Sequence, residues 1–302
     1  MDDARRAVGV VVVNYGSADM VERNLAVLDE LAGPRVIVVV DNFSTSEERA
    51  RAVALCRRRG WVVATPDTNT GFGGGVNLGV RVAQEHGARD LLLVNPDARL
   101  LPGDVARLAA ASASAGAGPV LCAPVVRRPD GRVWSAGLWL DEETGAIRRG
   151  DDPPSRGHRW LTGACLWVPE EAWAAIGGFD ESYFLYWEDV DFCRRALEAG
   201  CELRVVADAE AVHEVGATQD GSARAKSPAY YYYNICNRGR YAAAHLGRED
   251  IRRWRRGDFA SAREIVLRGG RQQFLRPWRV IPPVVRGLRD ARRLTAAALR
   301  RR

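Results

Sequence analysis

The chain has 302 residues, 47% of them hydrophobic and 27% charged, a globular composition with room for one large domain plus an appendage, or for two domains. Its net charge of +6 is unevenly placed: sixteen arginines against Asp258, Glu264 and Asp290 give residues 251–302 a charge of +13, which leaves −7 for the first 250 by difference. An acidic body with a basic tail excludes a dedicated nucleic-acid binder, whose positive charge would sit on the fold itself.

Residues 8–13 are a continuous valine-rich run, the mark of a strand buried on both faces of a parallel sheet. Asn14, Tyr15 and Gly16 break it, and Leu25, Leu28 and Leu31 mark one face of the helix that follows. A second strand is predicted over 35–40, ended by Asp41 and Asn42, then a helix over 46–59 with Glu47 and Glu48 in its first turn. A third strand over 61–64 leads to a glycine-rich loop, 69–75, and a helix through His86. A fourth, 91–94, ends at Asn95-Pro96-Asp97. This alternation predicts an α/β fold with a doubly wound, mostly parallel central sheet. Ligands of such sheets bind beyond the carboxyl ends of the strands, and Asn14, Asp41 and Asp97 all fall there, which suggests one shared pocket.

A helix over 102–117, a strand over 120–126, a turn at Pro129-Asp130-Gly131 and a strand over 133–140 follow. Residues 141–159 are charged, bear glycine and proline, and are poor in apolar side chains; they read as a mobile loop and a candidate lid. The apolar run 161–169 contains Thr162-Gly163-Ala164, so it reads as a strand that comes close to a ligand. A short helix over 170–176 and a last sheet strand over 203–206 precede His213 and the run Gly216-Ala217-Thr218. From 228 the pattern is helical, which divides the chain into a body, 1–227, and a helical, arginine-rich extension, 228–302. Cysteines at 56, 122, 165, 193, 201 and 236 form no CxxC or zinc spacing, so buried free thiols in a reducing compartment are expected. The N-terminal apolar run is too short for a signal-peptide core, and no stretch approaches the ~18 apolar residues of a membrane span. A cytoplasmic protein is expected.

The chemistry centres on residues 184–200, FLYWEDVDFCRRALEAG. Val190, Cys193, Ala196 and Leu197 have helical spacing, Gly200 is a normal stop, and Glu188, Asp189 and Asp191 crowd the first turn. Helix capping accounts for acids there. It does not account for the aromatic wall in front of them, which would desolvate a carboxylate and raise its pKa, as a general base requires. The loop NTGFGGGVNLG lacks both the GK(S/T) of a phosphate loop and GxGxxG; it is either a tight strand-to-helix turn or an approach of backbone N–H groups to a diphosphate. Asp97 offers one carboxylate to Mg²⁺ or Mn²⁺ bound with phosphate oxygens. His213 offers a nitrogen, which suits Mn²⁺ better, although a lone histidine is more often structural.

Taken together, VVVNYGS, VVDNFST, NTGFGGGVNLG, NPDA and GACLWVPEEAWAAIGGFDESYFLYWEDVDFCRRALEAG, in this order, resemble glycosyltransferase family 2, with the nearest likeness to its rhamnosyltransferase-like and galactofuranosyltransferase-like members. The resemblance covers about residues 8–245. It implies a GT-A fold, a UDP- or dTDP-sugar donor, a divalent metal, inversion at the anomeric carbon, and a glycan, lipid-linked or small-molecule acceptor. By the same resemblance Asn14, Tyr15, Asp41 and Asn42 frame the nucleoside, with Asp41 accepting from a pyrimidine N3–H. Asn69, Gly71, Phe72, Gly73 and Asn77 line the sugar diphosphate. Asp97 is the second acid of the family's Asp-x-Asp, with Asn95 in place of the first, and His213 completes the metal site. Asp189 matches the catalytic base; Glu188 and Asp191 shape the acceptor site or orient the base; Tyr183, Tyr186 and Trp187 suit stacking on the acceptor. A non-catalytic nucleotide-sugar-binding protein would keep the pocket with no need for Asp189. A dinucleotide oxidoreductase would carry GxGxxG after the first strand, where none stands. A glycosidase would need two acids flanking one bond.

The extension mixes its arginines with Trp254, Phe259, Trp278 and Ile281. Peripheral contact with an anionic membrane and a cap packed on the body, or in a homodimer interface, are the two readings of that composition. Pro277, Pro282 and Pro283 predict two or three short helices rather than one long one.

Overall fold

In the computed structural model, which describes residues 6–114, 116–150, 152–214, 226–270, 273 and 275–302, the valine run forms β1 (Ala7–Asn14). It lies parallel to β2 (Arg35–Asp41) on one side and to β4 (Ala88–Val94) on the other, with β3 (Val62–Ala64) beyond β2. Unbroken apolar strands need cover on both faces. Val11, Val13, Val38 and Val40 accordingly enter one core, and Val10, Val12, Ile37 and Val39 the other. The second face is covered by α1 (Ala18–Leu25), α2 (Ser46–Arg59) and α4 (Pro102–Ala113), through Val21, Leu55 and Leu108. The first is covered by α3 (Gly71–Glu85), α5 (Glu170–Ile176) and α6 (Glu188–Glu198), through Val80, Ala172 and Phe192. This is the doubly wound α/β arrangement.

Beyond β4 the sheet becomes mixed. β11 (Cys165–Val168) runs antiparallel between β4 and β6 (Val120–Arg127). β6 pairs in parallel with β12 (Glu202–His213) and antiparallel with β7 (Val133–Ser135), and β5 (Ala98–Leu100) closes the far edge against β12. Because β11 is antiparallel, the turn 162–164 at its start lies beside the carboxyl end of β4.

Several elements depart from the sequence reading for local reasons. The first helix ends at Leu25 and tightens into a 3₁₀ turn, Ala26–Glu30. The glycine run is not a loop: α3 begins at Gly71, and the glycines form its first turns. A Cβ on Gly75 would lie 2.8 Å from Val13 Cγ1, and one on Gly79 2.4 Å from Val11 Cγ1, so these glycines let the helix sit directly on β1. The predicted strand 133–140 breaks before Gly137 (φ +78°), and β8 (Leu138–Asp141) leaves for a second sheet with β9 (Ala146–Arg148) and β10 (Gly157–Trp160). The expected lid is therefore a three-stranded sheet. Leu138, Leu140 and Trp160 tie it to the core, and distant partners hold the rest: Trp254 Nε1 donates to Glu142 O at 2.8 Å, Arg238 Nη2 to Thr144 O at 3.0 Å, and Arg156 pairs with Asp250 at 2.8 and 3.2 Å. The last sheet strand runs to His213, well past residue 206. Gly216, Ala217 and Thr218 lie outside the described residues.

The extension consists of α7 (Pro228–His245), α8 (Arg248–Arg256), α9 (Asp258–Leu267) and α10 (Pro277–Arg301). Tyr241, Ala242, Ile251 and Trp254 belong to the same core as α6, so the first part of the extension caps the body. α10 is a single 25-residue helix with Pro282 and Pro283 inside it, contrary to the expectation of short helices. The two rings deprive only the carbonyls of Trp278 and Arg279 of N–H partners, in an exposed turn near the helix start where solvent can replace them. All six cysteines are free and buried. Among the described residues no helix is long and apolar enough to cross a membrane.

Candidate active site

β1 and β2 end in register, which sets Asn14 beside Asp41 at the carboxyl edge, both fully buried. Asn14 Oδ1 accepts from Ser17 N at 3.0 Å, its amide faces Asp41 Oδ1 at 3.5 Å, and Arg49 Nε of α2 donates to Asp41 Oδ2 at 2.9 Å. Asp41 thus has no surface for the pyrimidine expected there; it anchors Asn14 and Arg49. The aromatic side chains at this edge are Tyr15, 51% exposed, and Phe43, whose ring lies 4.6 Å from the Arg49 guanidinium.

Asn42 is a staple. Its amide donates to Asn69 Oδ1 (3.0 Å) and Gly71 O (2.7 Å), and its oxygen accepts from the Thr70 N–H (2.9 Å) and hydroxyl (3.0 Å). Gly71 N donates to Asn69 Oδ1 at 2.8 Å and Phe72 N to Phe184 O at 2.7 Å. The amides of Thr70, Gly71 and Phe72 therefore have protein partners and are not presented to a diphosphate. Gly71 holds φ +78°, and a Cβ there would come within 2.4 Å of Phe184 O. Asn77 exchanges two 2.9 Å bonds with the Phe179 backbone, and a Cβ on Gly73 would lie 3.1 Å from Phe179 Cβ. Both residues join α3 to the segment leading into the 184–191 loop.

At the end of β4, Asn95 N donates to Ala164 O at 2.9 Å, and the buried Asn95 Oδ1 has no partner. The pairing of β5 with β12 brings His213 to Asp97: Nε2 donates to Oδ1 at 2.9 Å, both side chains buried, with Trp134 edge-on to the imidazole at 4.7 Å. His213 Nδ1 is also buried without a partner. Asp97 and His213 bring one carboxylate and one imidazole together at the strand ends, with the unpartnered Asn95 oxygen two residues before the acid; this oxygen and nitrogen donor set fits a divalent ion that completes its shell with phosphate oxygens, provided Nε2, the nitrogen that faces Asp97, turns to the ion, and the nitrogen favours Mn²⁺. Among the described residues no group of three His, Cys, Asp or Glu gathers at metal-binding distance, so such an ion would depend on its ligand's phosphates.

The loop before α6 is strained. Phe184, Tyr186 and Trp187 hold φ of +61°, +64° and +75°, values costly for residues with a Cβ. Asn237 of α7 holds it: Nδ2 lies 2.7, 2.9 and 2.9 Å from the carbonyl oxygens of Tyr183, Leu185 and Tyr186. Sequence reasoning missed this residue, whose partners lie some fifty positions upstream and leave no local pattern. Trp187 packs inward against Tyr241 and Trp254, with centroids at 5.6 and 6.3 Å. Tyr183 is fully buried and donates to Asp191 Oδ1 at 3.2 Å. Both rings, expected to stack on an acceptor, are core. Tyr186 remains on the wall, half-buried and edge-on to Tyr230 at 5.5 Å.

The three acids of α6 have three environments. Asp191 accepts from His245 Nε2 at 2.7 Å and from Arg195 Nε at 2.8 Å. Burial pushes its carboxyl up, but these two partners outweigh burial and hold it below the usual range. It is an anchor rather than a base. Glu188 is buried, and its Oε2 has no partner. Burial first, then the charge of Asp189, push it well above the usual carboxylate range, which favours its neutral form. Asp189 is half-buried and forms no ion pair among the described residues; Oδ2 accepts from Gly163 N at 3.2 Å and Oδ1 from Val190 N at 2.9 Å. Burial pushes it up to about 6, with the two amide bonds acting against the shift. A Cβ on Gly163 would lie 3.2 Å from Phe72 Cε1 and 3.6 Å from Asp189 Cβ. The turn 162–164 thus gathers Phe72, Asp189 and the end of β4 around one cleft, next to the Asp97–His213 pair.

The site thus combines an α/β sheet, a half-buried carboxylate at the start of α6 that forms no ion pair among the described residues, and an Asp–His pair at the strand ends. The description "Glycosyltransferase like family 2" matches residues 5–232. The chain belongs to this family. An N-acetylglucosaminyl-diphospho-decaprenol L-rhamnosyltransferase of Mycobacterium tuberculosis is 33% identical over 237 residues, 68% of this chain and 75% of that protein. A low-salt glycan biosynthesis hexosyltransferase of Haloferax volcanii is 26% identical over 215 residues, 68% of this chain and 66% of that one. Among solved structures, a mannosyltransferase from Pyrobaculum calidifontis in complex with GDP-Man and Mn²⁺ superposes with a TM-score of 0.56 at 15% identity, over 97% of this chain and 86% of that chain. GalNAc-T7 with UDP, GalNAc and Mn²⁺ gives 0.56 at 16% identity, over 70% of this chain but 44% of its own length. The family-2 chain has the GT-A fold of these neighbours and is a glycosyltransferase.

Proposed function

We propose that this family-2 enzyme moves a sugar from a nucleoside-diphosphate donor, UDP- or dTDP-linked, to a hydroxyl of a lipid-linked glycan acceptor, with inversion at the anomeric carbon and Asp189 as general base. The reading rests most on Asp189, a cleft carboxylate without a cationic partner and raised to about 6 by burial, which is the state a base needs to accept a proton near neutrality. The mycobacterial relative, an N-acetylglucosaminyl-diphospho-decaprenol L-rhamnosyltransferase, supports the acceptor class. In one in-line displacement the acceptor oxygen attacks C1 as its proton passes to Asp189, and the diphosphate oxygen leaves with the bonding pair. The Gly163 N–H orients the carboxylate without neutralising it. Glu188, whose burial disfavours its charged form, limits a second negative charge beside the base. Tyr186 and Phe72 wall the cleft from water. Asp97 and His213 would hold a divalent ion, which when bound takes up charge on the departing diphosphate. Free buried thiols fit a reducing, cytoplasmic setting.

The test is Asp189→Asn. Turnover should fall by ~10²-fold or more, while the donor still raises the melting temperature as in the parent. Near-parental turnover would remove Asp189 as base. A parent protein that binds donor but never turns it over would favour a non-catalytic nucleotide-sugar-binding role.

A further inference from the structure

α10 has two faces of unequal character. One packs on α7: a Cβ on Gly239 would lie 2.5 Å from Ala291 Cβ, and one on Gly287 3.0 Å from Tyr232 O, so the helices meet backbone to backbone. The other carries Trp278 (69% exposed), Ile281 (57%) and Val285 (58%), at i, i+3 and i+7, the spacing of one helical stripe. Leu275, 76% exposed, continues it before the helix. Since α10 is already bound to α7 by its opposite side, this stripe is not the core-facing side of the helix.

Around the stripe the charge has one sign. Arg286, Arg289 and Arg293 share a single carboxylate, Asp290, at 3.8, 3.2 and 3.6 Å. Arg276 and Arg279 form no ion pair among the described residues. A tryptophan and aliphatic side chains ringed by surplus arginine match an anionic bilayer surface, where the apolar groups enter the headgroup boundary and the arginines meet lipid phosphates. A second copy of the chain fits less well, because a two-fold contact through this stripe would set arginines against arginines.

We propose that the exposed stripe Trp278–Ile281–Val285, with Leu275, is a docking surface for an anionic membrane. The surface is coupled to the acceptor loop: Arg286 lies over the Tyr232 ring at 4.8 Å, Tyr232 bonds to Asp290 at 3.2 Å, and Tyr233 of the same helix stacks on Phe184 at 5.1 Å. Docking would therefore set the acceptor side of the cleft at a fixed height above the lipid. The proposal stands on the exposed stripe and not on the identity of the acceptor.

The experiment is co-sedimentation of the full chain with vesicles of phosphatidylcholine, with or without phosphatidylglycerol, at low and high salt. The vesicles carry no acceptor, so the result is independent of transfer. Binding is expected only with phosphatidylglycerol, and it should weaken at high salt, where such attraction is screened. The triple variant Trp278→Ser, Ile281→Ser, Val285→Ser changes exposed side chains alone and should bind about tenfold more weakly or less, with the parent's circular dichroism. Absence of binding at low salt would overturn the proposal, as would a triple variant that binds as well as the parent. A concentration-dependent dimer of the parent that the triple variant abolishes would also overturn it, by assigning the stripe to self-association.

Discussion

The two sides of the cleft are built differently. The donor side, from Asn14 to Asp97, is assembled within one β-α block, and most of its polar side chains are already saturated: Asp41 by Asn14 and Arg49, Asn42 by Thr70, Gly71 and Asn69, Asn77 by Phe179. The acceptor side joins the turn 162–164, the strained 184–187 loop and α7, and it keeps Glu188 Oε2 without a partner and Asp189 held by two backbone amides but by no ion pair among the described residues, its carboxyl raised by burial. Buried polar groups normally find partners, and each that does not has a cost. Under the proposed mechanism the contrast separates scaffold from chemistry: donor-side residues mainly set geometry, and the acid–base step falls to the acceptor side. The end of β4 is the donor-side exception: Asn95 Oδ1 is unpartnered there, and Asp97 meets His213, whose Nδ1 is unpartnered too.

That exception sets the largest expected effect. Asp97→Ala removes the one carboxylate at the metal position and leaves His213 without its partner, so Mn²⁺-stimulated donor binding should be lost, read by calorimetric titration of a nucleoside diphosphate with and without the ion. Full turnover of the parent in EDTA would move Asp97 into the saturated scaffold. Next is Asn237→Ala, which removes the amide shared by three carbonyls of the strained loop and leaves Tyr183 O only its bond from Leu185 N. It should lower kcat roughly tenfold, at about 1–3 kcal/mol in stability, with donor affinity unchanged. A change in donor affinity with kcat intact would erase the division between the two sides. The smallest effect is expected from Glu188→Gln. The buried acid already favours its neutral form, so steady-state turnover should stay within about threefold of the parent; a large loss would make it a participant.

Much of the donor side was legible because its signals are local. The valine runs become β1 and β2, each split between two cores, and the helix over 46–59 has Thr45 accepting from Glu48 N at 3.2 Å and Gly60 in the left-handed region to end it. The position of Asp189 at a helix start behind aromatic residues was legible for the same reason. What was hidden depends on contacts across the chain. The second sheet over 138–160 is held by Trp254, Arg238 and Asp250, far downstream, so its own composition read as a loop. The inward turn of Trp187 follows from Tyr241 and Trp254. Asn237 has no motif, and only the three carbonyls it meets reveal its part. The glycine run misled for a different reason: close helix–strand packing and close approach to a ligand call for the same residue type.

The most direct test of Asp189 as the base is the pH dependence of kcat/KM with donor and acceptor held constant. A base must be ionised to accept a proton, so its raised pKa places the rise in activity near pH 6 and not in the ordinary carboxylate range. The account predicts an acidic limb centred near pH 6 that Glu188→Gln leaves in place. Activity that stays level down to the ordinary carboxylate range, near pH 4, would contradict it.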